Sequence, residues 1–340
     1  MRIVSKEDRA VPILEVRGLK KHFPIYAGVF RKQVATVKAV DGIDFRIFPG
    51  QTVGLVGESG CGKSTAAKTA IRLLTPTEGS VFFDGQEITQ LPEKRLTSLR
   101  RDVQVVFQDP MLSLNPRKSI GDTLAEPIRY HRLLSNPSAI HQRVAELLQL
   151  VGLNEEARRR YPHQFSGGQL QRICIARALA LQPRLIVCDE AVSALDISVQ
   201  GQILNLLADL QQQFGLSYLF IAHNLSVVRH SCDHVIVMYL GHVMESAPAQ
   251  QLFAHPKHPY TQALLSATPK EHPEQAKRRL LLSGELPSPV DPPSGCPFRT
   301  RCPLAREKCS EDPPLQTIGA HHHFACIYAP DDLELVSLSK

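Results

Sequence analysis

Apolar positions gather into short runs separated by helical stripes, and this alternation runs most of the length of the chain. Residues 13–19 and 40–47 alternate or run apolar and read as strands, with a basic, loop-like stretch at 24–38 between them. Residues 52–56 form an apolar run of strand length, and 64–74, free of Gly and Pro, read as a helix. Residues 81–83 followed by Asp84-Gly85 read as a strand entering a hairpin. From 91 to about 161 the pattern is helical, and Val144, Leu147, Leu148 and Val151 share one face of an amphipathic segment over 139–150. Beyond Ser166 a helix leads to a strand at 185–188, a helix at 199–214, a strand at 218–222 and a β-rich piece at 234–245. Strand alternating with helix predicts an α/β fold with a parallel sheet.

Composition changes the picture at one place. After Ala247 the chain becomes Pro-rich: 14 of its 25 prolines lie between Pro248 and Pro330. The predicted layout is a core lobe of residues 10–90 and 166–247, an inserted helical lobe of 91–165, and an extension of 248–340. With 43% hydrophobic and 21% charged residues the chain is expected to be globular and soluble. No apolar run reaches bilayer-spanning length, and residues 1–9 are charged and lack the apolar core of a signal peptide. The expected location is the cytosol, docked on something embedded. A net charge of +6 suits phosphate, an acidic partner or an anionic surface, and a solvated surface accounts for it better than any of these.

The chemistry begins at Gly57-Glu58-Ser59-Gly60-Cys61-Gly62-Lys63-Ser64, which fits G-x-x-x-x-G-K-[ST] between a strand and a helix. Glycines let the backbone curl so that successive N–H groups point at phosphate oxygens. The helix N-terminus adds partial positive charge, Lys63 adds a full one, and Ser64 is placed to hold Mg2+. With Thr65 in the first helical turn, these residues form the expected cradle for a nucleoside triphosphate. Leu185-Ile186-Val187-Cys188 ends in Asp189 and Glu190, whose side chains alternate and so can take different tasks. Asp189 can hold Mg2+ through water, and Glu190 can accept a proton from the attacking water. Ser166-Gly167-Gly168-Gln169 opens a helix and reads either as an N-capped start or as a second phosphate-binding terminus. One ATP needs one cradle, so the second would serve a nucleotide held by another subunit. His223, at the end of a strand, can donate to a γ-phosphate, and Gln108, after 105–107, can reach Mg2+ and water.

In this order, together with Ser193-Ala194-Leu195-Asp196, these segments resemble the ATPase subunit of ATP-binding cassette (ABC) transporters over residues 13–245. The resemblance implies a nucleotide-binding core with a parallel sheet, an antiparallel β subdomain, an inserted helical subdomain and a small Cys-rich C-terminal extension. It further implies that two cassettes pair head to tail. ATP would lie between the loop of one subunit and Ser166 and Gly168 of the other, with Asp196 crossing the interface and Phe23 stacking on adenine. Phe165, Ala191 and Asn224 depart from the commonest family residues, Leu, Pro and Asp; none removes a named catalytic group, and Ala191 and Asn224 bear on the hydrolysis rate of this site.

The extension raises a separate question. Cys296, Cys302, Cys309 and Cys326 are spaced C-x5-C-x6-C-x16-C in a segment too polar, by its composition, to pack a core. Four thiols in a reducing compartment can fold around a metal. The spacing alone favours neither zinc nor iron–sulfur, and His321, His322 and His323 could also donate. The segments His258-Pro259-Tyr260-Thr261-Gln262-Ala263-Leu264-Leu265 and Gly284-Glu285-Leu286-Pro287-Ser288-Pro289 look like the extension of dipeptide and oligopeptide importers within the same family. That resemblance, which also takes in residues 105–110 and 113–117, implies a [4Fe–4S] cluster on the four cysteines, with zinc as the alternative. Cys61, at a helix N-terminus, is either a thiol of lowered pKa whose alkylation would block ATP binding or simply a small residue that fits the turn. Cys174, Cys188 and Cys232 read as small buried hydrophobes.

The resulting expectation is an ATP-hydrolysing subunit, with Mg2+, that energises uptake of dipeptides or oligopeptides on the cytoplasmic side of the inner membrane. Its implied partners are a second ABC ATPase in a hetero-pair, two membrane permease subunits and an external substrate-binding protein; no nucleic acid is expected. The rival readings are the same machine importing nickel or glutathione, and a cassette ATPase acting on DNA or ribosomes.

Overall fold

The computed structural model describes residues 11–28, 30, 32–267 and 284–328. The charged N-terminus, residues 1–9, lies outside them, as do parts of the extension. The chain begins with a long hairpin, β1 (Leu14–Ala27) and β2 (Lys32–Ile47), and continues through β3 (Thr52–Val56) into α1 (Lys63–Ala70). A tight hairpin follows, β4 (Glu78–Phe83) and β5 (Gln86–Glu87), turning at Asp84 and Gly85 with φ of 51° and 76°. Then come α2 (Glu93–Asp102), β6 (Val103–Val106), α3 (Pro110–Ser113), α4 (Ile120–Tyr130), α5 (Pro137–Leu150) and α6 (Gly167–Leu179). The next stretch is β7 (Leu185–Asp189), α7 (Ile197–Phe214), β8 (Ser217–Ala222) and α8 (Leu225–Ser231). The chain closes with β9 (His234–Tyr239), β10 (His242–Pro248), α9 (Ala249–Ala254), α10 (Pro259–Ala267), β11 (Leu315–Ile318) and β12 (His322–Ala325).

Two compact units emerge. The first comprises Phe48–Gln51 and Leu91–Ile221. Its strands β6, β7 and β8 are parallel, with Val103 opposite Leu185 and Ile186 opposite Tyr218. β7 and β8 are buried throughout, so they read as unbroken apolar runs. Helix α5 buries Val144, Leu147 and Leu148 of the stripe its spacing predicts, with Ile140 added and Val151 buried as its C-cap.

The second unit comprises Val11–Ile47, Thr52–Gln90 and the described residues from Ala222 onward. It holds an antiparallel sheet in the order β2-β1-β4-β5 and a further set in the order β11-β12-β10-β9-β3. Here β3 runs parallel to β9, and the extension contributes β11 and β12, with β12 antiparallel to β10.

Four expectations change. Residues 24–38 are mostly strand rather than loop: Ile25 pairs with Ala35 and Phe23 with Val37. Pro24 is tolerated because β4 pairs with β1 only as far as Lys20, leaving an edge beyond it. Helix α1 stops at Ala70, where Arg72 turns left-handed at φ 59° and the N–H groups of Leu73 and Leu74 both return to the Lys68 carbonyl. The helical reading of 91–161 missed β6, because it follows α2 with no Gly or Pro to punctuate the change. The extension also has a core after all. Tyr260, Phe298 and Phe324 are fully buried, and the packing depends on a few aromatics rather than on average composition.

Candidate functional site

The phosphate loop belongs to the second unit. It follows the buried strand β3 and ends on Gly62, whose φ of 104° suits glycine; a Cβ there would fall 2.1 Å from the Ala39 carbonyl oxygen. No side chain caps α1. Lys63 is buried, and its Nζ donates to the carbonyls of Gly57 at 2.9 Å and Glu58 at 2.8 Å. Ser59 and Gly60 are exposed, while Ser64 and Thr65 are half-buried in the first turn of α1. Cys61 is 1% exposed, and burial raises its thiol pKa despite Lys63 nearby. It is a small residue that fits the turn, not an activated thiol, because desolvation outweighs the cation. Phe23 sits half-exposed on β1 with the Lys21 ammonium 4.8 Å from its ring centre. His223, in the same unit, is exposed.

In the first unit the parallel register aligns the C-terminal ends of β6 and β7. Val106 lies opposite Cys188, so Gln108 and the Asp189-Glu190 pair emerge at the same end, where ligands gather in α/β sheets. Asp189 is buried. Glu190 is half-buried at φ 51°, an unusual backbone for a non-glycine residue, and its N–H donates to the Ile221 carbonyl at 3.1 Å. Ser193 fixes the Glu190 carbonyl through its N–H and Oγ.

The Ser166 segment is a capped helix start. The Gln169 N–H donates to Ser166 Oγ at 3.4 Å, and the Ser166 N–H donates to Gln169 Oε1 at 3.1 Å. Ser166, Gly167 and Gln169 are exposed. Gly168 is required sterically, since a Cβ there would meet Val199 Cγ1 at 2.5 Å. Asp196 caps α7, accepting from Ser198 Oγ at 2.7 Å and the Val199 N–H at 2.9 Å, and these bonds lower its carboxyl pKa. The three departures have local roles. The Arg160 guanidinium lies 4.4 Å over the Phe165 ring, Ala191 is buried, and Asn224 caps α8 by accepting from the Ser226 N–H.

Cys296, Cys302, Cys309 and Cys326 line one cavity, together with His258 and Phe298. Burial raises the thiol of Cys296 to about 11 and that of Cys302 to about 12, and the neighbouring thiols push both the same way. Among the described residues, however, no group of three or more His, Cys, Asp or Glu is arranged to hold a metal ion. His321 to His323 are not part of this lining: His322 Nε2 is 2.6 Å from Glu245 Oε1 and His323 Nδ1 is 2.9 Å from Thr317 Oγ1.

Sequence reasoning missed the residues that hold the loop from outside. Arg301, between Cys296 and Cys302, forks onto Glu58, and Tyr260 Oη accepts from the Glu58 N–H. The only sequence trace was Tyr260's place in the His258–Leu265 segment; nothing local marks Arg301.

A strand-to-helix phosphate loop, an apolar strand ending in Asp-Glu and a Gly-Gly helix start define the class of nucleotide-hydrolysing cassettes. The chain matches the family described as ABC transporter over residues 40–193 and that described as oligopeptide/dipeptide transporter, C-terminal region, over residues 244–309. It is 52% identical over 92% of its length to the oligopeptide transport ATP-binding protein AppF of Bacillus subtilis, 96% of which is covered. It is 49% identical over 94% of its length to OppF of Escherichia coli, an oligopeptide transport ATP-binding protein covered to 97%. Among solved structures, a dimeric post-hydrolysis state of the cassette MJ0796 bound to ADP and Pi matches with a TM-score of 0.62 at 29% identity. That match covers 69% of this chain and 98% of the other. The chain belongs to the ABC transporter family, as an ATPase subunit carrying the peptide-transporter C-terminal region. Among the described residues no helix is long and apolar enough to cross a membrane.

Proposed function

We propose that this chain hydrolyses ATP to energise uptake of dipeptides or oligopeptides through membrane permease subunits, working beside a second ATPase subunit. The observation that carries this is the joining of a complete set of ATPase motifs to the peptide-transporter C-terminal region in one chain. The finer assignments belong to the same reading: an external substrate-binding protein, two permease subunits, a hetero-pair of ATPases, and a peripheral position on the cytoplasmic side of the inner membrane. Residues 10–90 with 166–247 would act as the nucleotide lobe, 91–165 as the lobe that passes motion to the permease, and 248–340 as the extension.

Each residue's proposed task follows from its chemistry. Gly57, Glu58, Ser59, Gly60, Cys61, Gly62, Lys63, Ser64 and Thr65 form the cradle around the phosphates, Lys63 adds positive charge, and Phe23 stacks on the base. Ser64, Asp189 and Gln108 present the oxygens a hard cation takes; bound Mg2+ would neutralise charge on the phosphates. Glu190 takes a proton from water as that oxygen bonds the γ-phosphorus and the bond to the β-bridging oxygen breaks, leaving ADP and phosphate. His223 donates to the γ-phosphoryl oxygens. Ser166, Gly167, Gly168 and Gln169 would complete the nucleotide site of a partner subunit, with Asp196 at that interface.

Reconstitution with the candidate permease tests this directly. Di- or oligopeptides should stimulate ATP hydrolysis, and Glu190→Gln should abolish turnover while retaining ATP. Failure of every peptide to stimulate, with nickel or glutathione succeeding, would change the cargo; tight salt-dependent binding to duplex DNA would favour the non-transport rival. We further propose a metal centre on Cys296, Cys302, Cys309 and Cys326, supported by their shared cavity. A metal would hold as thiolates groups that burial otherwise keeps protonated. Anaerobic purification followed by iron, sulfide and zinc analysis should return four irons per chain for a [4Fe–4S] cluster; zinc would assign the other metal, and neither would remove the centre.

A further inference from the structure

The phosphate loop is braced at both ends. At its end, the Cys61 carbonyl accepts from the Gly241 N–H at 2.9 Å, beside the Ala39 carbonyl that excludes a side chain at Gly62. At its start, Glu58 is held by two residues of the C-terminal extension, Arg301 and Tyr260. Arg301 Nη1 donates to Glu58 Oε2 at 2.6 Å and Nη2 donates to Oε1 at 3.1 Å, a bidentate fork. The Arg301 side chain is 8% exposed and that of Glu58 is 27%. The Glu58 N–H donates to Tyr260 Oη at 2.9 Å.

These two contacts have rigid backing. Tyr239, Tyr260 and Phe298 are fully buried and meet pairwise with ring centres 4.8, 5.2 and 5.3 Å apart. Arg301 Nη1 also reaches Tyr239 Oη at 3.5 Å. Leu286 of the extension covers Gly60, its Cδ2 lying 3.8 Å from where a Cβ would stand.

We propose that Arg301 and Tyr260 are positioning residues for ATP: the extension holds Glu58 so that the phosphate loop keeps its curve and bears no uncompensated negative charge. Two physical reasons converge. A loop rich in glycine loses much conformational freedom when it closes on phosphate, and a start held in advance lowers that cost. Glu58 is a carboxylate inside a site for a polyanion, and the Arg301 fork neutralises it at short range, where screening by water is weakest. The Glu58 carbonyl also holds Lys63 Nζ at 2.8 Å, so a shift of Glu58 displaces the loop's own cation.

This inference rests on the reading of residues 57–64 as the ATP cradle, and direct nucleotide binding to the purified full-length chain separates the two. A fluorescent ATP analogue is titrated into the wild type and into Lys63→Ala, Arg301→Ala, Arg301→Lys, Tyr260→Phe and Glu58→Gln/Arg301→Ala, with the unfolding temperature of each recorded. A wild type that binds no nucleotide would fail the cradle itself. Given binding by the wild type, Arg301→Ala should weaken it about tenfold, the scale of one lost charge-assisted contact. Tyr260→Phe should weaken it less. The charge argument predicts that Glu58→Gln recovers part of the loss in the Arg301→Ala background, which a merely structural role would not. Arg301→Lys keeps the charge and loses the fork, so it should fall between wild type and Arg301→Ala, and it carries the test if Arg301→Ala does not fold. Affinity within twofold of wild type in folded Arg301 variants would overturn the proposal, as would no recovery in the double variant.

Discussion

Two helix starts in this chain are suited to phosphate, and they are held in opposite ways. Helix α1 begins at Gly62 with no side-chain cap, and its loop is shaped by Ala39, Gly241, Tyr260 and Arg301, residues far away in sequence. Helix α6 begins at Ser166 and caps itself within four residues through the reciprocal Ser166–Gln169 bonds. Leaving N–H groups uncapped keeps them for a ligand but gives up local stabilisation, so tertiary contacts must supply the shape. A self-capped start keeps its own shape and can be presented on an exposed surface. The difference suits the roles proposed above, the loop for nucleotide within its own subunit and the Ser166 segment for a partner.

The comparison can be broken most severely by nucleotide binding. Lys63→Ala should lower the affinity of the single subunit for ATP by about a hundredfold or more, since it removes a full charge from a buried phosphate site. Ser166→Ala should leave that affinity unchanged and instead reduce ATP-driven pairing of subunits, read by analytical ultracentrifugation in the Glu190→Gln background. Equal loss of single-subunit binding in both variants would erase the distinction.

A smaller effect comes from acid. Burial lowers the pKa of His258 from 6.5 to about 4, and Tyr260 donates its N–H to His258 Nδ1 at 3.1 Å, so the folded ring is neutral. Glu245, which accepts from the His258 N–H, opposes that shift without cancelling it. The unfolded chain takes up a proton near 6.5 and the folded one only near 4, so stability is full above 6.5 and falls between 6.5 and 4. At pH 5 the loss is on the order of 1–2 kcal/mol from this residue. Chemical denaturation at pH 7.5 and 5.0 measures it, and a His258→Gln variant should lose this residue's share of the pH dependence while that of His234, which burial also lowers to about 4, remains. His258 adjoins the brace at Tyr260, so hydrogen exchange should loosen there before it loosens at Ser166; the reverse order would contradict the comparison. The smallest effect is on the self-capped side. Ser166→Ala should cost about 0.5–1 kcal/mol of folding stability, because Gln169 still reaches the Ser166 N–H. A loss above that range, by the same denaturation assay, would mean the segment depends on distant contacts as the loop does.

Much of the architecture was legible because its signals are local. The buried strands β3, β7 and β8 are unbroken apolar runs, α5 shows its stripe, and Asp84-Gly85 supplies the left-handed pair a tight hairpin needs. The misreadings share a cause. The strands over 24–38 are stabilised by pairing with each other, Phe23 against Val37, and β6 by pairing with the distant β7, Val105 against Val187; cross-strand pairing of either kind leaves no imprint on the short window read one strand at a time.

Residue order alone determined the candidate chemistry: a glycine-rich loop with its lysine, an Asp-Glu pair closing an apolar strand, a Gly-Gly helix start and four cysteines in one segment. Each depends on spacing within a few residues, where backbone geometry follows from residue type. Only the tertiary structure decided what surrounds them. It gathered four thiols around one cavity, buried Cys61, and set Arg301 on Glu58 across 243 positions of chain. A contact of that reach is fixed by the packing of β9, α10 and the extension together, and no spacing along the chain encodes it.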